Sequence, residues 1–356
     1  MRIRLHTALA LACTALVLLA TARPGLCDKP GEPDVSASTP ATLIVIEEND
    51  YFAGTDNHYT NGTKFLWVSG DLKHYADDQR LPRFVLPFLG ILPFVNSPGQ
   101  QYNVALALGQ NMYTPTHLQV SAPQPNDRPY AGWTYVSLGL HAKTADKLDT
   151  FETTVGFVGP ESYAAQTQND FHALIGDPPS LGWRNQIHDE PGIMLTWQRT
   201  QNLKRVDLGH DLAWDFLPHV RASVGNVETL AAAGFETRFG FKLPRDFGTS
   251  LIQPGGGVSE PAVKDDTRPL ENPAFGMHIF AGAEGRAVAR NIFLDGNTFE
   301  DSPRVSKIPF VGDLFGGVGL EMGRLKLTYT QVFRSEEFYG QKKPQMFGSI
   351  TLAVTF

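Results

Sequence analysis

The sequence predicts an all-β fold, an antiparallel transmembrane β-barrel of about twelve strands with a short helix in one connection. Three observations support this prediction. Segments of strand length alternate between apolar and polar residues, the chain ends in such a segment, and no uncharged apolar run long enough for a membrane-spanning helix follows the amino-terminal segment. Barrel strands need no such run, because only every second side chain faces lipid.

The amino terminus has the pattern of a secretory signal peptide, in which a short basic region precedes an apolar stretch at residues 7–20. Cleavage after Ala22 and cleavage after Cys27 both fit the local sequence, and lipid attachment at Cys27 is a weaker alternative. We expect residues 1–27 to be a signal peptide and residues 28–356 to form one outer-membrane barrel.

The carboxyl terminus is an amphipathic strand. In residues 346–356, large apolar side chains alternate with small or polar ones, and Phe356 completes the apolar set. This pattern resembles the last strand of bacterial outer-membrane barrels, which closes the sheet and is read by the insertion machinery. An edge strand of a soluble β-sandwich is the alternative.

Similar alternating segments recur along the chain. In the clearest one, between Tyr102 and Met112, Leu106 and Leu108 share a face predicted to contact lipid, and smaller residues share the other face. The predicted strands cover residues 41–49, 59–69, 102–112, 130–143, 149–158, 187–200, 209–222, 228–243, 274–293, 308–321, 324–336 and 344–356.

Three connections depart from this pattern. Residues 71–101 are rich in proline and apolar side chains, so we expect them to lie against the barrel mouth or the membrane interface. Pro160 and Gly176 bracket good helix formers and predict a helix. Residues 245–272, with three consecutive glycines, predict a long mobile loop.

Composition excludes several classes of function. The net charge is −7 with no cluster of basic residues, so nucleic acid is not an expected partner. The two cysteines, Cys13 and Cys27, lie in or beside the signal peptide, which leaves no pair for an internal disulfide. The chain has no Gly-x-Ser-x-Gly serine motif and no His-Glu-x-x-His zinc motif.

Polar motifs concentrate in the connections after predicted strands 1, 3 and 5, all of which are extracellular if the exported chain starts on the periplasmic side. On the predicted helix, Gln168 and His172 are four residues apart and share a face. A histidine is half neutral close to physiological pH and can accept a proton from water, although a purely structural histidine is the alternative. Asp50, Asn49 and Thr60 offer the oxygen ligands that calcium requires, although acidic residues in such a loop, Asp50 included, are more often a solvated charge cluster than a metal site.

Seven motifs in residues 45–192 together resemble the lipid A 3′-O-deacylase family. In chain order they are Glu48-Asn49-Asp50, Tyr59-Thr60-Asn61-Gly62, Gly109-Gln110-Asn111-Met112-Tyr113-Thr114-Pro115, Asp127-Arg128-Pro129-Tyr130-Ala131-Gly132, Gly159-Pro160-Glu161, Gln168-Asn169 with His172, and Gly182-Trp183 with Gln186.

The resemblance implies a twelve-stranded barrel whose active site lies between the barrel wall and an extracellular helix, facing lipid A in the outer leaflet. It implies a calcium-dependent ester hydrolase that removes the 3′-linked acyloxyacyl chain, with His172 as general base and Gln168 beside it. The resemblance places Asn49, Asp50 and Thr60 in the catalytic site on the barrel wall. Of these three residues, it implies that Asp50 and Thr60 are the metal ligands.

The sequence also departs from the family. Some members carry a Lys-Arg pair after the Thr-Pro motif, where this chain has no cation, so Arg128 is our candidate for contacts with substrate phosphates. A glutamate that follows the helix in the family is absent, and Asp177 lies near its place. An outer-membrane phospholipase and a non-enzymatic porin or scaffold barrel remain alternative functions.

Overall fold

The computed structural model describes residues 40–50, 58–77, 83, 86–89, 100–249, 251–252 and 275–356. The predicted signal peptide and its cleavage positions lie outside these residues, so they stay predictions. In the described part of the chain, no helix is both long enough and apolar enough to cross a membrane.

The described residues form thirteen strands and three α-helices. The strands are β1 (Thr42–Asn49), β2 (His58–Val68), β3 (Gln101–Thr114), β4 (Ala131–Lys143), β5 (Lys147–Val158), β6 (Glu190–Gln201), β7 (Lys204–Gly209), β8 (Leu212–Gly225), β9 (Glu228–Phe241), β10 (Gly276–Asn291), β11 (Phe310–Met322), β12 (Leu325–Arg334) and β13 (Gln345–Thr355). The helices are α1 (Leu86–Leu89), α2 (Ala164–Ile175) and α3 (Ile292–Asp295).

The strands close into one antiparallel barrel. Each strand pairs with its neighbours in sequence, except that β6 pairs with β8 and not with β7, and β1 pairs with β13. Strand β7 adds no further position around the barrel, because it lies end to end with β6 beside the same neighbour, β8. Residues 212–216 of β8 pair with β7, and residues 219–225 of β8 pair with β6. The barrel therefore has twelve strand positions, as the sequence predicted, and the separate segment β7 is the one strand the prediction missed.

The alternation in β3 divides its side chains between lipid and lumen. Leu106 and Leu108 point outward and are about half exposed, at 44% and 52%, whereas Ala105 and Ala107 are buried inside. This confirms the predicted faces. Tyr102, which shares the outward face, is nevertheless buried, because the β2–β3 connection packs over that end of the wall.

The described part of the β2–β3 connection lies against the outside of the barrel. Tyr75 and Leu89 pack on Tyr102 and Val104 of β3 and on Leu140 of β4, in a cluster at the end of the barrel remote from α2. The described apolar residues Tyr75 and Leu89 thus lie against the wall rather than in a solvated turn, which agrees with the expectation for this part of the connection.

The β9–β10 connection enters the lumen, which corrects the expectation of a mobile loop for its described residues. Phe247 and Ile252 pack among the inward side chains of β1 and β2, including Ile44 and Leu66. The backbone N–H of Ile252 donates to the Glu48 carboxylate at 2.6 Å. Residues 253–272 lie outside the described residues.

A buried cluster of charges holds this connection in place. The Asp246 carboxylate accepts hydrogen bonds from Arg238 of β9 and Lys326 of β12, and Arg238 also pairs with Asp215 of β8 at 2.6 Å. Three strands are thereby joined to one connection inside the barrel. Because all of these groups are buried or nearly so, each charge depends on its partners.

We predict that Asp246→Ala lowers the stability of the barrel by about 3–5 kcal/mol, because it removes one partner from a buried ion cluster. The measurement is the temperature at which the folded barrel converts to the unfolded form in detergent. Asp301→Ala is the control: it breaks only the exposed 3.4 Å pair with Arg304 and should leave this temperature unchanged. Equal unfolding temperatures for the two variants would contradict the assigned role.

Candidate functional site

The β5–β6 connection builds a helix against the outer face of the wall. A 3-10 turn at Pro160–Ser162 precedes Tyr163, whose left-handed backbone redirects the chain into α2. The helix ends at Gly176, where a φ of 85° requires a residue without a side chain. Pro160 and Gly176 therefore bracket the helix as the sequence predicted.

One face of α2 is buried against β3 and β4. The buried side chains are Ala164, Gln168 and His172, spaced four residues apart. Gly132 of β4 permits this close approach, since a Cβ there would lie 2.0 Å from the Ser162 Oγ and 2.4 Å from the Ala164 Cβ. The predicted common face of Gln168 and His172 is confirmed, and it points at the wall.

The ring of His172 is oriented by the backbone. Its Nδ1 lies 2.7 Å from the carbonyl oxygen of Pro178, three residues past the end of the helix. A carbonyl oxygen can only accept, so Nδ1 carries the proton, and in the neutral ring Nε2 is then the basic nitrogen. This fixed tautomer is what a general base requires, and sequence reasoning did not predict Pro178 as its anchor.

Gln168 is fixed by an aromatic side chain from the same connection. The indole Nε1 of Trp183 donates to the Gln168 Oε1 at 2.7 Å. Trp183 in turn packs on Tyr130, with ring centroids 5.0 Å apart. The Nε2 of Gln168 is buried and has no hydrogen-bond partner among the described residues, so it remains able to donate to a bound molecule.

The predicted wall residues lie at the same end of the barrel. Thr60 occupies a β-bulge in β2, and its hydroxyl hydrogen-bonds to the Thr114 hydroxyl of β3 at 2.6 Å. Asn49 ends β1 opposite Asn61 of β2, and Asp50 follows directly with a buried side chain. The structure thus brings Asn49, Asp50 and Thr60 to the rim at β1 and β2, next to β3, on which α2 rests.

A polar row crosses the outward face one step below this rim. Glu47 of β1 pairs with Thr63 of β2, which pairs with Gln110 of β3. The Glu47 carboxylate accepts from Thr63 at 2.6 Å and from Asn61, and Gln110 donates to the Ser162 carbonyl at 2.7 Å. This polar row was not predicted from the sequence. It could have been recognised from polar residues at positions where the alternation of the strands predicts lipid-facing side chains.

Arg128 is placed away from this group. Its side chain is fully buried, its Nη1 donates to Glu337 at 3.1 Å, and its guanidinium lies over the Tyr113 ring. Burial alone raises the pKa of Glu337, but Arg128 and Arg334 outweigh it and hold that pKa below its usual value. Two Arg128 donors, Nε and Nη2, have no hydrogen-bond partner among the described residues, but the side chain is fully buried. The contact of Arg128 with a substrate phosphate therefore stays a prediction.

A calcium site would have to rely on neutral oxygen ligands beside Asp50. Among the residues that the structure describes, no group of three or more His, Cys, Asp and Glu side chains is arranged to hold a metal ion. The nearby donors are the Asp50 carboxylate, the Asn49 amide and the Thr60 hydroxyl. An all-oxygen set of this kind fits calcium better than zinc.

A closed antiparallel barrel of twelve strand positions, apolar outside and charged inside, defines the class of bacterial outer-membrane β-barrel proteins. The model of the outer membrane protein LpxR family matches residues 7–356, and the chain belongs to this family. The fold is similar to that of LpxR from Salmonella typhimurium, with a TM-score of 0.68 and 17% identity over 88% of this chain and 100% of that one.

Other outer-membrane barrels are more distant. The β-domain of the Bordetella autotransporter BrkA has a TM-score of 0.40 and 10% identity, over 90% of this chain and 99% of that one. An outer membrane channel from Pseudomonas putida F1 has a TM-score of 0.37 and 11% identity, over 92% of this chain and 100% of that one. No curated protein matches the sequence.

We predict that Gly132→Ala displaces α2 from the wall without unfolding the barrel. The new Cβ would overlap Ser162 and Ala164, whereas the strand pairing of β4 would remain. Thermolysin should therefore cut the β5–β6 connection faster, while the heat-resistant folded form persists. In the control, Gly285→Ala, the new Cβ meets nothing within 4 Å and digestion should not change. Equal digestion of both variants would show that α2 does not depend on Gly132.

Proposed function

We propose that the protein is an outer-membrane carboxylic ester hydrolase that removes the 3′-linked acyloxyacyl chain from lipid A. The observation that carries the proposal is His172, buried between helix and wall with its Nδ1 held by the Pro178 carbonyl. A histidine fixed in one tautomer at the lipid side of an outer-membrane barrel is suited to act on an ester in the leaflet. Membership of the LpxR family and the seven motifs support the lipid A assignment.

The proposed reaction is a base-assisted hydrolysis. Nε2 of His172 takes a proton from water, whose oxygen bonds to the ester carbonyl carbon. The bond from that carbon to the 3′ oxygen of the sugar breaks, and the histidine returns the proton to the leaving oxygen. The products are the free acyloxyacyl fatty acid and the 3′ hydroxyl. The Gln168 Nε2 is available to donate a hydrogen bond to the substrate.

Calcium is the proposed cofactor. Asp50 and Thr60 would hold it, with Asn49 beside them, because carboxylate, hydroxyl and amide oxygens are calcium donors. When bound, the ion would supply stabilisation of the negative charge that develops on the ester carbonyl oxygen.

Two alternatives remain as candidate functions. A phospholipase would use the same residues on a glycerol ester, so only product analysis separates it from a lipid A deacylase. A porin requires an open lumen, but the described residues 243–249 and 251–252 lie inside this barrel and bond to its wall. That obstruction favours an enzyme over a diffusion channel.

The substrate assignment is tested by mass spectrometry of lipid A and phospholipids from cells with and without the protein. We expect lipid A to lose the mass of its 3′-linked acyloxyacyl group while the phospholipids stay intact. Loss of a chain from phospholipids alone would identify a phospholipase, and unchanged lipids of both kinds would remove the hydrolase proposal.

We predict that His172→Ala lowers turnover about a hundredfold or more, because it removes a positioned general base. The folded barrel should persist, since the His172 side chain takes no part in strand pairing. His188→Ala is the matched control: His188 lies on the same connection, but its side chain is half exposed and pairs with the exposed Glu300. Normal turnover by His172→Ala would show that a residue other than His172 acts as the general base.

We predict that EGTA abolishes hydrolysis by the purified barrel and that added calcium restores it. Turnover should fall about a hundredfold or more, because the negative charge that develops on the ester carbonyl oxygen is no longer stabilised by the cation. EGTA already saturated with calcium is the control for effects of the chelator itself. Full turnover in EGTA would eliminate calcium from the mechanism without changing the role of His172.

A further inference from the structure

The row of polar side chains on the outward wall is not used by the proposed hydrolysis or by the proposed calcium site. It continues onto β4, where Thr134 pairs with Gln110. We call the whole set the polar row: Glu47 of β1, Asn61 and Thr63 of β2, Gln110 of β3 and Thr134 of β4. All of these side chains are partly exposed.

The polar row faces lipid and not the lumen. Thr63 lies two residues from Phe65, which is 46% exposed, on the same face of β2. On β3 and β4, the next outward side chains are Leu108 and Val136, each 52% exposed. On β1, the side chains directly before and after Glu47 are buried inside the barrel, so Glu47 lies on the outward face. The polar row therefore borders the apolar belt of the wall.

The polar row lies deeper in the wall than the edge of the apolar belt does on other strands. Val224, second to last in β8, is 59% exposed, and Phe310, first in β11, is 74% exposed, so apolar side chains reach the extracellular strand ends there. In contrast, Gln110 lies four residues before the end of β3, and Thr134 lies three residues after the start of β4. Polar side chains that face lipid are costly and mark functional positions.

Both ends of the polar row adjoin the candidate site. The Gln110 Nε2 donates to the Thr134 hydroxyl at 3.0 Å and to the Ser162 carbonyl at 2.7 Å, and Thr134 donates to the same carbonyl at 2.6 Å. Ser162 lies two residues before α2. At the other end, Glu47 lies two residues before Asn49 on the same strand, about 7 Å away at the usual strand rise. The polar row therefore extends from the start of the helix to the predicted wall residues.

The hydrogen bonds inside the polar row use its donors and leave acceptors. The Thr63 hydroxyl donates to the Glu47 carboxylate at 2.6 Å, and the Asn61 Nδ2 donates to the same group. Both Gln110 N–H groups and the Thr134 O–H are used in the bonds to each other and to the backbone. A carboxylate has about four acceptor sites, and an amide oxygen has about two. Part of the Glu47 carboxylate and the Gln110 Oε1 can therefore accept from a bound molecule.

Acyl chains alone cannot satisfy these acceptors. A hydrocarbon chain has no N–H or O–H group, so an acceptor that faces only acyl chains costs free energy. A ligand that donates at this position removes the cost, and a site built to bond a donor rejects an analogue that lacks it. The ester groups of a glycerophospholipid offer acceptors only, whereas a hydroxyl or amide group on an acyl chain offers a donor.

We propose that the polar row binds the hydroxyl or amide N–H groups that a lipid substrate carries beside its ester. Glu47 is the main acceptor, and Thr63 and Asn61 hold its carboxylate in place. The row thereby selects hydroxyl- and amide-bearing acyl lipids over glycerophospholipids. This inference rests on the proposed function for its reaction, and it names the substrate class by its hydrogen-bond donors.

The selection is tested by binding, without any turnover. One probe is an N-acylglucosamine whose acyl chain carries a β-hydroxyl group. The other is its analogue, in which that hydroxyl is removed and the amide nitrogen is methylated, so that the sugar and the chain are kept and both donors are lost. We expect the purified barrel in detergent to bind the first probe about tenfold more tightly by calorimetry, since a hydrogen bond to a charged group has about this effect. Equal dissociation constants would overturn the proposal.

Variants of the polar row assign the preference to its residues. Glu47→Leu should reduce the preference to less than about twofold, because the acceptor is lost while an apolar outward side chain suits the wall. Thr63→Val should also reduce it, because the carboxylate loses a bond that holds it. The matched control is Thr237→Val on β9, between two exposed phenylalanines of the outward face, where the hydroxyl donates to the Asp215 carbonyl at 3.1 Å. This control should keep the full preference, and all variants should keep the heat-resistant folded form.

The outcomes separate the two proposals. Retention of the preference in Glu47→Leu, or its loss in Thr237→Val, would refute selection by the polar row. If the unmodified barrel hydrolyses no ester but prefers the donor-bearing probe, the proposed function fails and the polar row remains a lipid-binding site. If lipid A is hydrolysed and both probes bind equally, the proposed function stands and selection by the polar row is refuted.

Discussion

Closure of the sheet is the constraint on which the rest of this structure depends. In hydrocarbon each unpaired backbone N–H or C=O is costly, so a membrane-spanning sheet has to end where it began. Here β1 pairs with β13 across the chain termini, and the β6–β8 pairing completes the ring. Strand β6 pairs with only the second half of β8, and β7 pairs with the first half. Closure also fixes which side chains face lipid.

A ring of this size is too wide for its strand side chains to fill, and the lumen shows how the space is used. Paired charges line it, such as Arg221 with Glu284 at 2.7 Å and Arg334 with Asp313 at 3.0 Å. The β9–β10 connection adds apolar contacts and the Asp246 cluster. Because many of the charges that the described lumen contains have an opposite partner close by, the polar lumen and the apolar outer wall are compatible with one stable fold.

The sequence was sufficient for features governed by local periodicity. Alternation gave the twelve strand positions, and Pro160 with Gly176 bounded the helix on which Gln168 and His172 share a face. Features that depend on distant pairs were not accessible. The bond from Ile252 to Glu48 joins residues 204 positions apart, and the burial of Arg128 depends on Glu337, 209 positions away. No local pattern records such contacts, so the filled lumen and the position of Arg128 emerged only from the fold.

The His172 anchor was missed for a different reason. Pro178 contributes a backbone carbonyl, and every residue has one, so side-chain identity carries no information about which carbonyl will meet an imidazole. The chain reverses at Gly176, whose left-handed backbone returns the next residues alongside the helix. The position of the ring therefore follows from the helix end as much as from the histidine.

The location of His172 on the outside of the barrel wall sets two opposing requirements. A polar imidazole on the lipid side of the wall must be shielded, yet the proposed lipid substrate would still have to reach it. Shielding comes from the helix, and it is possible only because Gly132 lets the helix backbone approach the wall. Access requires that one side of the helix stay uncovered. Residues 177–187, which return to β6, bond to Gln168 through Trp183 and to Asn169 through Ser180, whereas Phe171 and Ile175 of the same helix stay exposed. Since the helix takes no part in strand pairing, changes to it can alter the proposed hydrolysis while the barrel stays closed.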